Sequence, residues 1–170
     1  TYHEDVNVYE VISENGDHIG ILYEDLFPRE TKRSGAWMNE LRSQGMMKGK
    51  IERPHVTFTC NLTKPTKKKP SLLTYREVET IFHEFGHCLH GLLSNCDYRS
   101  IGGTSVFWDF VELPSQIMEN WVGEKETLKI FANHYDTNEL IPDELIEKIK
   151  NSKNFLSATN CLRQLSLGYL

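Results

Sequence analysis

At residue 74 the spacing of apolar residues changes from every second position to every third or fourth, and that switch limits what this chain can fold into. Thr74 and Glu77 form a T-x-x-E pattern, in which each side chain satisfies the other residue's free backbone N–H at a helix start. Val78, Ile81, Phe82, Phe85, Leu89, Leu92 and Leu93 then recur at helical spacing, which predicts one helix from residue 74 to near Ser94-Asn95. Upstream, VNVYEVIS and HIGILYED flank ENGD, and its Asn15-Gly16 pair predicts a β-hairpin over 6–25. HVTFTCNL (55–62) places Val56, Phe58, Cys60 and Leu62 on one face of a half-buried strand. Around Thr59-Cys60-Asn61 that strand reads either as plain structure or as a sheet edge open to an extended peptide.

The connecting text is less regular. PRETKRSG reads as a loop, AWMNELRS as a short helix and QGMMKGK as loop. TKPTKKKPS (63–71) is a breaker-rich linker whose lysines form a solvated surface. NCDYRSIGGTS (95–105) is a loop, with GGTS either flexing over a channel or serving as a connector. VFWDFVELPSQIMENWV (106–122) reads as a second helix that Pro114 must kink or deprive of one hydrogen bond. TLKIFANHY, PDELIEKIK and NFLSATNCLRQLSLGYL read as three more helical segments. The expected class is α+β: mainly α with a small antiparallel sheet, the helix that starts at residue 74 and a helical bundle after it. A small β region (1–62) and a helical region (74–170) make a single segment.

Composition narrows the partners. At 39% hydrophobic and 25% charged residues, the chain is neither disordered nor low-complexity. No apolar run approaches the ~20 residues that span a bilayer. A net charge of −5 argues against nucleic acid or an anionic membrane as partner. Cys60, Cys88, Cys96 and Cys161 contain no C-x-x-C pair and read as reduced thiols, consistent with a cytoplasmic protein. The absence of an initiator Met, and an apolar-periodic run that reaches Leu170, read as a piece of a longer protein. The remainder of that parent chain is an expected partner, and the uncovered apolar end favours self-association.

The chemistry lies in His83-Glu84-Phe85-Gly86-His87, an H-E-x-x-H within the predicted helix. Residues four apart on a helix are offset by about 40° and rise about 6 Å, so both imidazoles leave one face and can reach a single Zn²⁺. Glu84 lies about 100° around, beside the metal, where it can take a proton from water. The apolar flanks, IFHEFGHCLHGLL, would partly bury this group, and buried polar groups need partners such as a metal. The metzincin continuation is excluded, because His90 stands where it wants Gly and Leu93 where it wants His. The other source of a third ligand is a carboxylate on a second helix. Asp109, Glu112, Gln116 and Glu119 form a polar stripe in an apolar helix. Glu112, central in it, is the expected ligand and Glu119 the alternative. His90 shares the histidine face but reads as a satisfied or solvent-facing residue.

FHEFGHCLH, GGTSV and DFVELPSQIMENW, with PRETKRSGAWM, LLTYREVETIFHEFGH and NHYDTNELIP, resemble the thimet oligopeptidase and peptidyl-dipeptidase family of zinc peptidases over nearly the whole chain. The resemblance implies one zinc on His83, His87 and Glu112, with Glu84 as general base. It also implies a largely helical, deep-channel fold that admits only short peptides. Glu79 and Asp109 match acidic positions near the family's metal histidines, and helical spacing independently puts Glu79 on the His83 face. Family members are several hundred residues long. Their substrate-holding and oxyanion-stabilising tyrosines and histidine lie in a later segment, and N-terminal helices build the other channel wall; this chain contains neither.

Overall fold

The computed structural model describes residues 3–169. Thr1, Tyr2 and Leu170 lie outside the described residues. The chain divides into two compact units, one running to Val122 and one from Gly123 onward.

In the first unit, β1 (Val6–Ile12) and β2 (His18–Asp25) form the expected antiparallel hairpin. Gly16, at φ +88°, supplies the positive φ that its turn requires. The chain then makes β3 (Trp37–Arg42), β4 (Gly45–Met47) and β5 (Lys50–Glu52) before β6 (His55–Thr59) inserts between β2 and β3. β6 runs parallel to β2 and antiparallel to β3. The sheet is therefore mixed, not antiparallel as expected. AWMNELRS is a strand where a short helix was expected, because β6 offers it a partner along its length, from Trp37↔Thr59 to Arg42↔His55. Such pairing outweighs a modest helix propensity. QGMMKGK, expected as loop, closes the β4–β5 ribbon through Lys48 and Gly49, both at positive φ.

The position of β6 also settles its edge. Beyond the ladder, Cys60 N–H donates to Asp25 O at 2.8 Å and Leu62 N–H to Leu26 O at 2.9 Å, so Thr59-Cys60-Asn61 is interior and not an open edge. The sheet's edges are β1 and β3. The predicted alternation holds: Val56, Phe58, Cys60 and Leu62 are buried, and Cys88 and Leu92 of α1 (Tyr75–Leu92) pack on them.

The capping box of α1 forms as read. Thr74 Oγ1 accepts from Glu77 N–H, and Glu77 Oε2 accepts from Thr74 N–H at 2.8 Å. Glu77 Oε1 also takes the Thr63 N–H at 2.7 Å, which ties the helix start to the chain just past β6. The Thr74 and Thr63 backbone N–H groups hold the Glu77 carboxyl down to about 2.

Residues 106–122 form two helices rather than one kinked helix, α2 (Trp108–Val111) and α3 (Leu113–Glu119). Pro114 cannot donate to a preceding turn and its ring crowds the carbonyl four residues back, so it starts a helix instead of continuing one. Glu112 stands at the joint. α3 packs on α1 at Gly86, where a Cβ would lie 2.6 Å from Ser115 Cα and 2.8 Å from Pro114 O. Only a glycine lets the two backbones approach this closely.

The second unit holds α4 (Lys125–Phe131), α5 (Asp143–Lys153) and α6 (Ser157–Gly168). α4 ends before the expected ANHY stretch, which turns back through an Asn133↔Leu140 bridge. Leu128 and Ile146 are its buried apolar residues among those described, and α6 buries none. The fold class is α+β as expected, but the single bundle expected after α1 is divided, with α2 and α3 in one unit and α4–α6 in the other.

Candidate metal centre

α1 projects His83 and His87 from one face, one turn apart, with ring centroids 5.0 Å from each other. Glu112 meets them from the joint between α2 and α3. Its Oε2 lies 3.2 Å from His83 Nε2 and 3.1 Å from His87 Nε2. One donor atom from each of the three residues falls within 4.8 Å of the other two. Fully buried Ser115 holds the carboxylate, because its one hydroxyl proton is shared between Glu112 Oε2 at 2.8 Å and Glu112 O at 2.9 Å. Local sequence therefore builds the cluster. Pro114 opens the joint, Gly86 admits α3, and Ser115 turns the carboxylate toward the histidines.

The donors fit a divalent zinc ion. Two imidazole nitrogens and one carboxylate oxygen are a donor set that zinc takes in catalytic sites, and Glu112 remains partly exposed, which leaves an open approach. Burial pushes the His87 imidazole down, toward the neutral form that ligates. The His87 Nδ1 is buried with no hydrogen-bond partner, whereas His83 Nδ1 lies 2.6 Å from Glu119 Oε1.

Glu84 is buried and lines the same cavity as the two histidines and Glu112, a space of about 380 Å³. Burial raises its carboxyl, the nearby Glu112 charge adds to this, and His83 opposes it. Glu79 is half-buried on α1, one turn before His83. Asp109 is exposed on α2 and lines a different cavity with Phe107 and Trp108, so the structure does not bring it into the cluster. Glu119, the alternative ligand, stands behind His83 rather than beside Glu112. The His90 ring packs edge-on against Phe110 and is not one of the three converging groups.

Ala36, Trp37, Met38 and Thr104 also line the cavity that holds the three donors, and sequence reasoning missed them. Ala36, Trp37 and Met38 lie in the segment read as a helix. Thr104 belongs to the GGTS loop, where its N–H donates to Glu40 of β3 at 3.2 Å. Nothing in the spacing of either segment marks them. The strand's pairing with β6, visible only in the fold, brings them to the site.

Among known proteins, the description of peptidase family M3 matches residues 1–170. This chain belongs to peptidase family M3. Its M3 relatives include oligopeptidase A of Haemophilus influenzae, 44% identical over 99% of the chain. Oligopeptidase A of Escherichia coli is 45% identical over 98% of the chain. Dipeptidyl carboxypeptidase of Escherichia coli is 40% identical over 99% of the chain. The chain covers 25%, 25% and 24% of these three relatives, about a quarter of their length. A further relative from Arabidopsis thaliana is named as an organellar oligopeptidase A, so the M3 relatives are not confined to one compartment. Among the described residues, no helix is long and apolar enough to cross a membrane.

Proposed function

We propose that this M3 chain carries the zinc centre of a cytoplasmic peptidase that hydrolyses short peptides, with His83, His87 and Glu112 as ligands and Glu84 as general base. The observation that carries the reading is the convergence of two imidazole nitrogens and the Glu112 carboxylate beside a buried Glu84. When bound, Zn²⁺ supplies Lewis acidity that polarises a carbonyl and acidifies water. Glu84 accepts the proton of the attacking water and returns it to the leaving amine nitrogen. β3, a sheet edge that contributes Trp37 and Met38 to the cavity wall, offers backbone groups to an extended peptide. Glu79 supports the histidine face from one turn away.

The purified chain is expected to hold about one zinc. His83→Ala or His87→Ala abolishes binding and Glu112→Ala strongly reduces it, because a catalytic site takes three protein ligands plus water. Glu84→Gln keeps the metal. In the full-length parent it collapses turnover of a quenched-fluorescence peptide, and parent-like turnover in that variant would overturn the general-base assignment.

One observation favours a second reading for the chain by itself: it covers about a quarter of its relatives' length. In that reading it is a metal-binding core with little peptidase activity of its own, since a missing oxyanion donor alone costs about 10²–10³ in turnover. Comparing the isolated chain with its parent in the same assay, with size-exclusion chromatography on both, separates the two.

A further inference from the structure

We propose that Glu119 is the positioning residue for His83: it fixes the imidazole in the tautomer, and at the angle, that leave Nε2 free to ligate. The inference rests on the zinc-centre reading but assigns a task to a residue outside the ligand set. His83 presents its two ring nitrogens to two different carboxylates, Nδ1 to Glu119 Oε1 at 2.6 Å and Nε2 to Glu112 Oε2 at 3.2 Å. Both carboxylates can only accept when ionised, but the Glu119 contact is the shorter, and Glu112 Oε2 is shared with His87 Nε2 at 3.1 Å and the Ser115 hydroxyl at 2.8 Å, so the geometry favours a neutral His83 with its proton on Nδ1. The Nε2 lone pair then faces Glu112 and His87, as a ligand must. The opposite tautomer would put a hydrogen where the metal belongs.

Both carboxylates come from one short stretch of chain. Glu112 opens α3 and Glu119 is its last residue, so docking of α3 on α1 sets ligand and orienting group together. The two histidines are not equivalent. His87 Nδ1 is buried without a partner, so no carboxylate stands behind its ring as Glu119 stands behind His83. His83 is the more exposed of the two, at 26% against 12%, and has more freedom for Glu119 to remove.

The test measures the zinc affinity of the 170-residue chain by competition with a chromophoric chelator. It is paired with ¹H–¹⁵N spectra of the imidazoles in the zinc-free chain. Glu119→Ala should keep one site per chain and weaken it by about 10- to 100-fold, the range for losing such a partner. Glu119→Gln should weaken it less, because the amide oxygen still accepts from Nδ1–H. In the wild-type and Glu119→Gln chains His83 should be the Nδ1–H tautomer, and in Glu119→Ala it should no longer be fixed. Unchanged affinity in Glu119→Ala overturns the proposal, as does loss of the site to the extent seen in Glu112→Ala, which would make Glu119 a ligand. An Nε2–H tautomer in the wild-type chain overturns it without any variant, should Glu119→Ala fail to fold. If the wild-type chain takes up no zinc, the metal reading fails, while the tautomer measurement still judges the pairing.

Discussion

The two units of this chain spend their apolar residues differently. The first buries Val56, Phe58, Cys60, Cys88 and Leu92 in one cluster between sheet and helix, and all three converging donors and Glu84 belong to it. The second buries Leu128 and Ile146, while Leu162, Leu165 and Leu167 of α6 are exposed. Cavity walls and ligands need a rigid support, and the packed unit supplies it. Tryptophan distinguishes the units experimentally, because Trp37, Trp108 and Trp121 all lie before Gly123. Fluorescence reports the first unit alone, while far-UV circular dichroism reports helices of both.

The largest effect should come from Leu92→Ala. Leu92 is 1% exposed at the centre of the core, and truncating such a residue costs about 2–5 kcal/mol. The fluorescence transition in denaturant should shift accordingly; a shift in circular dichroism alone would break the contrast between units. Gly86→Ala comes next, because its methyl would meet backbone atoms of α3 rather than a movable side chain. Overpacking of this kind costs about 1–3 kcal/mol. Zinc affinity should fall with it, since Glu112 would move away from both histidines; wild-type affinity would show that the site tolerates a shifted α3.

Thr74→Ala should cost about 1 kcal/mol through the lost cap. Glu77 adds a pH signature. Its folded-state carboxyl is held at about 2, below the ordinary 4.5. Its contribution is therefore complete above pH 4.5 and lost as pH falls through about 2, and solvent screening keeps it small. Urea midpoints measured across that window should fall less steeply in Glu77→Gln than in wild type. The smallest effect belongs to Leu165→Ala. Its side chain is 51% exposed on α6, so the fluorescence midpoint should stay within about 0.5 kcal/mol of wild type and zinc binding should not change. A larger fluorescence shift would show that α6 supports the first unit.

Local signals made α1 legible: the Thr74–Glu77 box, the three- and four-residue apolar spacing and H-E-x-x-H all act within a few residues. The hairpin followed from Asn15-Gly16 in the same way. Residues 36–42 were not legible, because AWMNELRS is a strand only by virtue of β6, whose paired residues lie 13 to 22 positions away. The parallel order of β2 and β6 is likewise a property of the returning chain, not of either segment. The acidic stripe was legible as a source of the third donor, with Glu112 expected and Glu119 the alternative, but the place of Glu119 behind His83 was not legible. Spacing singled out Glu112 and Glu119 together, and only the break at Pro114 places one among the ring nitrogens and the other behind His83.

The insertion of β6 between two earlier strands has a consequence for the order in which the chain is made. During synthesis β1 and β2 can pair as soon as both have emerged, but β3 has no strand to join until residue 59 follows it out. For that interval Trp37–Arg42 is a strand-forming segment with both edges unsatisfied, the kind of species that associates with other nascent chains before it can complete its own sheet. The wall that β3 gives to the cavity of the three converging donors is therefore assembled only after the strand encoded downstream of it.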